Sequence, residues 1–471
     1  MSNTFETLGN ASVIVFQDGN PIIATDPWLS GTCYFGSWAL DHPMSPEQID
    51  HFMRAEYIWI SHGHPDHLHD ESLARLPRGK KFILPAHYTT DIADHLRELG
   101  FEVTTLAYRT WFPIAPKIRV LCLDNINQDG VLIIEADGAL IVDLNDSPLC
   151  GEDSFLRNLI RQYKREKVYL LALCSVDADM FNFIDATGQS IAGPPEERKP
   201  GAIWNVARMA GWLGVGNFCC SSSQHVYVRA DSVWANPYRI GWNDMKKYWS
   251  RPEVRLIEPF ATIDTSTGQY TANYPSQQSD FSQVSDTTGE DDWQARLNQE
   301  EWGRVAAFIR KFEMIDSTVD FVEFVVGGET RRIDIGRATA ADPAARGVIF
   351  HVPKQSLLIT VEYGYFDDLL IGNFMKTWLI NTSLYPRFSP LVAKTGGNAK
   401  VFTRAEYRRF RGHYFRRNPV GMTRFWAGIQ FNQIVLPWLR TTAERVGGNG
   451  PLKILYRKFL GDSVGTRKAE G

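Results

Sequence analysis

The first 260 residues alternate short apolar runs with segments whose apolar positions recur every three or four residues. VIVF, PIIATD, YIWIS, KFILPA, IRVLCL, VLIIEA, ALIVDL and VYLLALC are short, rich in β-branched side chains and bounded by polar or turn-forming residues, which predicts strands. PEQIDHFMR, TTDIADHLRELG and SFLRNLIRQYKREK carry their apolar residues on one helical face. This order of elements suits a sandwich of two sheets flanked by helices.

The pattern breaks between Asp264 and Asp292, where Ser, Thr, Gln and Asp dominate and apolar aliphatic residues nearly vanish. Such a stretch reads as a linker or long surface loop. EEWGRVAAFIRKF then predicts an amphipathic helix opening a second module. VDFVEFVV, GVIFHV and SLLITVEYG follow as alternating, strand-like segments, ahead of helical, aromatic and Arg-rich sequence. The expected organisation is α+β: a sandwich domain over 1–263, a polar connection over 264–292, and a smaller α/β module over 293–471 with a basic, aromatic-rich tail.

The length of 471 residues agrees with more than one hydrophobic core, and 44% hydrophobic content with 14 Trp and 27 Phe excludes a collagenous or wholly disordered chain. The opening MSNTFETLGN has no basic or apolar leader pattern, and no uninterrupted apolar run reaches transmembrane length, so the expected location is cytoplasmic. Six scattered cysteines form no disulfide framework, and Cys219 and Cys220 read as small buried hydrophobes. No CxH or CxxH pair offers Rieske-type ligands. Electrons for any redox reaction would have to come from another protein or from the substrate.

A net charge of −4 conceals an uneven distribution: Val401–Gly471 contains 14 Lys or Arg against four Asp or Glu. A basic tail favours an anionic partner. Arg404, Arg408, Arg409 and Arg411 are candidates to grip a phosphate or carboxylate, with Arg408 and Arg409 expected at a substrate. FWAGIQFNQIVLPWLR, with Trp426, Phe431 and Trp438, could instead rest on a membrane surface. Nucleic acid is not an expected partner.

The chemistry is concentrated in YIWISHGHPDHL. His62, His64, Asp66 and His67 crowd the end of an apolar strand, with Gly63 and Pro65 permitting and fixing a sharp turn. Isolated histidines such as His87 and His351 are ordinary structural residues. Three imidazoles and a carboxylate within six residues make a metal-ligand pattern.

HxHxDH behind a strand resembles the metallo-β-lactamase superfamily, and LGNASVIVF with PIIATDPWL looks like the opening hairpin and DPW turn of that αββα fold. The resemblance implies metal ligands at His62, His64, Asp66 and His67, with Asp26 supporting the loop from behind. ALIVDLND would supply Asp146, rather than Asp143, as a bridging carboxylate. SSSQH would supply His225 as the last imidazole. The superfamily's third-motif His has no counterpart, because DNINQDG stands in its place; Asp124 or Asn125 could give an oxygen ligand, or the position could stay without one. Such an oxygen-rich set favours one or two iron ions, with manganese or zinc as alternatives.

WISHGHPDHLHDESLARL, DGVLIIEADGALIVDLND, SSSQH and GYFDDLLIGNFMKTWL are similar in order and spacing to the catalytic part of the CMP-N-acetylneuraminate hydroxylase family. That resemblance implies a non-haem metalloenzyme, an oxygenase or hydroxylase for a small, anionic substrate, served by an external reductase or ferredoxin-like protein. The alternative is a zinc- or manganese-dependent hydrolase in which the metal generates a hydroxide and Asp66 orients it. In FDDLLIGN, Asp367 and Asp368 read either as caps of a helix beginning near Leu369 or as part of a substrate wall contributed by the second module.

Overall fold

The computed structural model describes residues 3–176, 181–274, 291–336 and 342–431. Trp438 and most of the basic tail, with the polar stretch 275–290, lie outside the described residues. Each of the eight apolar runs becomes a strand. One sheet is ordered Tyr270–Ala272, Phe260–Asp264, Thr4–Leu8, Val13–Gln17, Asn20–Thr25, Tyr57–Trp59, Lys81–Pro85, Glu102–Leu106. The other is ordered Arg255–Ile257, Asn217–Ser221, Val168–Leu173, Ala139–Asn145, Gly130–Ala136, Ile118–Asp124, Phe112–Ala115.

Alternation along the strands divides the core into layers. Val13, Val15, Ile23, Trp59 and Ile83 from the first sheet meet Val120, Leu132, Ile134, Ile141 and Leu171 from the second. Their neighbours face outward: Ile14, Ala24, Ile58 and Phe82 share a cluster with Phe52 and Leu96 of helices Pro46–Arg54 and Asp91–Glu98. On the other side Ile133, Val142, Leu170 and Phe218 join Leu156, Ile203 and Val206 of helices Asp153–Ile160 and Pro195–Leu213. The result is a four-layer αββα sandwich.

Asn20–Thr25 pairs in parallel with Tyr57–Trp59, and Ala139–Asn145 in parallel with Val168–Leu173 and through it with Asn217–Ser221. Parallel pairing brings the strand ends preceding Asp26, His62, Asp146 and His225 toward common edges. His225 itself begins a short strand, His225–Tyr227, paired with Trp38–Leu40.

The second module is a five-stranded sheet, ordered Phe183–Ile184, Lys376–Ile380, Gly347–His351, Phe321–Val326, Glu329–Asp334. Two details revise the expected boundaries. The polar connection opens as a hairpin, since Phe260–Asp264 pairs with Tyr270–Ala272. Phe183–Ile184, from within the first 263 residues, is an edge strand of the second module's sheet.

SLLITVEYG is not strand-like: it lies in helix Lys354–Tyr363. Pro353 precedes the helix, and Gly364 ends it in the left-handed region at φ 89°, its N–H bonded to Thr360 O at 2.7 Å. These two boundary residues outweigh the β-branched composition between them.

Candidate metal centre

The HxHxDH loop is held in place by Asp26. Its Oδ1 accepts from Ser61 N at 2.8 Å, and its Oδ2 accepts from Ser61 Oγ at 2.8 Å and faces His67 Nδ1 at 3.1 Å. Asn145 Nδ2 donates to the same Oδ2, and Ser222 Oγ donates to Asn145 Oδ1. Asp26, Asn145 and Ser222 all have left-handed backbones, at φ 41°, 54° and 57°. Three such residues bonded in series mark a site where the surrounding structure imposes the local conformation. Gly130 permits the close approach of DNINQDG: a Cβ there would come within 2.8 Å of Ser61 O.

Within the loop, His62 Nε2 and His64 Nδ1 face each other at 2.8 Å. With an Asp146 oxygen they form a group whose ligand atoms all lie within 4.8 Å of one another. His67 Nε2 lies 3.3 Å from both Asp66 Oδ2 and Asp146 Oδ2. Asp66 is further bound by Asn10 Nδ2 and Tyr34 OH, each at 2.6 Å.

Burial disfavours charge throughout, yet the neighbours decide the outcome. Desolvation lowers the pKa of His67, but Asp66, Asp146 and Asp26 together hold it well above the usual imidazole range. Burial likewise acts against charge on His64, and the Asp367 carboxylate overcomes it, raising the pKa to about 9. Asp66, although desolvation opposes its ionisation, is held below the usual carboxylate range by His67. At Asp143 burial wins: desolvation, then Asp26, raises its pKa well above the usual carboxylate range despite the opposing pull of His67.

These residues fit a bound metal ion. Two ring nitrogens aimed at each other beside a carboxylate suit ligands sharing one ion with bonds of about 2 Å. A buried oxygen of Asp146, Oδ1, has no hydrogen-bond partner among the described residues.

The remaining candidates take other places. Asp124 is committed to His87 Nδ1 at 3.0 Å, Tyr414 OH at 3.2 Å and Arg417 Nη1 at 2.6 Å. Asn125 donates to Ser147 Oγ and Pro148 O, and its Oδ1 accepts from Asn127 N at 2.7 Å. Asp124 belongs to none of the His, Cys, Asp and Glu groups that could hold an ion among the described residues. His225 is also outside those groups among the described residues: its ring stacks on Trp38 at 3.4 Å and 3°, its Nδ1 has no hydrogen-bond partner among them, and burial lowers its pKa to about 3. Arg408 and Arg409 are exposed, Arg404 pairs with Asp316, and Arg411 lies over the Trp426 ring.

Asp367 and Asp368 do not cap from outside a helix starting at Leu369. They occupy the first turn of helix Asp367–Ile371, whose N-cap is Phe366, with no side-chain cap hydrogen bond. Asp367 Oδ2 instead meets His64 Nε2 at 2.9 Å, and His64, Asp367 and Asp368 form a second group with metal-ligand spacing. Asn10, Tyr34, Ser61, Asn145 and Arg417 are contributors that pattern reading missed. Of these, Asn145 and Ser61 carried a signal, each adjoining a candidate ligand at a strand end.

The αββα sheet order, with a candidate ligand loop at its strand ends, is a metallo-β-lactamase fold. No protein-family model matches the chain. It is similar to cytidine monophosphate-N-acetylneuraminic acid hydroxylase of Danio rerio, 28% identical over 130 residues, which span 26% of this chain and 22% of that relative. Among solved structures it is similar to Igni18, a metallo hydrolase from Ignicoccus hospitalis, at 18% identity and TM-score 0.36, covering 55% of this chain and 97% of that one. It is also similar to CmlA, a diiron β-hydroxylase from Streptomyces venezuelae, at 13% identity and TM-score 0.31, covering 47% and 45%.

Proposed function

We propose that this protein is a non-haem iron oxygenase that hydroxylates a small molecule. The observation that carries the reading is the grouping of two imidazoles and one carboxylate, His62, His64 and Asp146, whose ligand atoms lie within 4.8 Å of one another. That donor set is the one that non-haem Fe(II) oxygenases use, leaving positions open for co-substrates. The side chains in DNINQDG that could have replaced a third imidazole are bonded elsewhere. The similarity to a hydroxylase over a quarter of the chain supports the same reading.

Iron held there would supply the electron transfer that dioxygen activation requires. The chain's own residues hold the ligands in place: Asp26 fixes His67, while Tyr34 and Asn10 fix Asp66. Hydroxylation inserts one oxygen atom into a substrate C–H bond and releases the other as water, using two electrons and two protons. A reductase or ferredoxin-like protein is the proposed electron donor.

Metal-assisted hydrolysis is the second reading, favoured by Asp66 and His67 beside Asp146, since paired ions commonly serve hydrolysis. Metal analysis of anaerobically purified protein, followed by oxygen-consumption measurements with a chemical reductant, separates the two. Iron content with reductant-dependent oxygen uptake supports the oxygenase. Zinc content with no uptake, and hydrolysis of model esters or phosphoesters, overturns it.

A further inference from the structure

We infer that Asp367 is a positioning residue for His64, its carboxylate accepting the Nε2–H hydrogen bond and so fixing the tautomer whose Nδ1 points unprotonated at His62 and Asp146. The inference rests on the reading of His62, His64 and Asp146 as metal ligands.

An imidazole can ligate through one nitrogen while donating from the other, and a partner for the donor fixes both tautomer and ring orientation. His64 has this arrangement. Its Nδ1 faces His62 Nε2 at 2.8 Å, and its Nε2 faces Asp367 Oδ2 at 2.9 Å. His67 repeats the scheme with its nitrogens exchanged: Nδ1 faces Asp26, and Nε2 faces Asp66 and Asp146. Thus each of these two loop histidines has a carboxylate on the nitrogen turned away from its acidic or imidazole neighbours. The partner of His67 comes from the sandwich, and that of His64 from 303 residues further along the chain.

The carboxylate sits on a short helix, Asp367–Ile371, packed into the second module. Asp367 is 5% exposed, and Phe366, Leu369 and Leu370 around it are buried in the second module's core. Gly372 O accepts from Ser37 Oγ, and Asn373 O accepts from Asn182 Nδ2 at 2.9 Å and Trp234 Nε1 at 3.2 Å. FDDLLIGN therefore has two ends with separate tasks: Gly372–Asn373 fastens the module to the sandwich, and Asp367 reaches His64.

The test compares D367A and D367N with wild type and H62A. Manganese affinity is measured by equilibrium dialysis, and 15N shifts of labelled histidines are read in the zinc-loaded protein. Asn retains an oxygen acceptor for Nε2–H but is a poor anionic ligand. The expected result is a 10- to 100-fold loss of affinity in D367A, typical of removing a ligand's supporting hydrogen bond. D367N should stay within about threefold of wild type, with His64 still protonated at Nε2. Equal losses in D367A and D367N would make Asp367 a ligand and overturn the positioning role. Wild-type affinity in D367A, with H62A impaired, would also overturn it. Wild-type affinity in H62A would instead remove the metal reading beneath it.

Discussion

Arg417 reaches Asp124 at 2.6 Å, joining the last turn of helix Arg404–Arg417 to the end of sandwich strand Ile118–Asp124. The two partners differ in surroundings: the Asp124 side chain is 1% exposed and that of Arg417 22%. Removing either one has different consequences. Among the described residues, in R417M the buried carboxylate keeps His87 and Tyr414 alone, whereas in D124N the guanidinium can turn toward water. R417M should lose about 3 kcal/mol, the lower part of the range for breaking a buried pair, and D124N clearly less. Thermal melting checks the order; a larger fall in D124N would refute the account.

A different loss is expected at Asp26. D26A strips the acceptors from Ser61 N, Ser61 Oγ and Asn145 Nδ2, and frees the His67 ring. Stability should fall by about 1–3 kcal/mol for each buried donor left unsatisfied, and metal affinity by about 10- to 100-fold. Inductively coupled plasma analysis after dialysis gives the second quantity. Unchanged affinity in a folded D26A protein would show that the loop needs no support from behind.

Much of this centre was legible because its first residues are contiguous. A short apolar, β-prone run, followed at once by HxHxDH, places both the strand and the ligand loop from a dozen residues. Asp26 and Asp146 were also accessible, each being an acidic residue at the end of an apolar strand. Asp367 was read only as a helix cap or substrate wall; its pairing with His64, like that of Arg417 with Asp124, was not legible, since the partners lie about 300 positions apart and no local period encodes them. Helix Lys354–Tyr363 was misread for the opposite reason: Leu, Ile, Thr and Val gave a local strand signal that Pro353 and Gly364 override. His225 followed its strand as expected, but its stacking on Trp38 depends on a cross-strand neighbour that sequence order does not reveal.

Chelation should destabilise the protein measurably. Asp26, Asp66, Asp146, Asp367 and Asp368 gather around three imidazoles, so a cation relieves repulsion that the folded state otherwise retains. At a free metal concentration 100 times the dissociation constant, binding contributes about 2.7 kcal/mol. Melting temperature should rise by several degrees on adding iron(II) or manganese anaerobically, and the rise should disappear in a double H62A/H64A variant. An equal rise in that variant would place the stabilising ion elsewhere.

The sandwich should not survive separation from the second module. Truncation after Tyr274 would remove Lys376–Ile380, the strand that pairs with Phe183–Ile184, and the Phe374 ring that packs 5.7 Å from Phe35. It would also remove Asp291, 3.0 Å from the 1% exposed Arg229, leaving that guanidinium with Asp231 at 2.8 Å. Asp291 in turn binds Ser356 at the start of helix Lys354–Tyr363, so one buried guanidinium ties the polar connection to both modules. A buried charge left wholly uncompensated costs about 3–5 kcal/mol, so losing one of two carboxylates costs a part of that, to which the exposed apolar surface adds. The truncated chain should therefore aggregate on size-exclusion chromatography or melt well below the intact protein. It should also bind metal more weakly, because His64 loses Asp367. A soluble, cooperatively melting fragment with full manganese affinity would mean that the sandwich folds and holds its ion unaided, and that the second module contributes nothing to either.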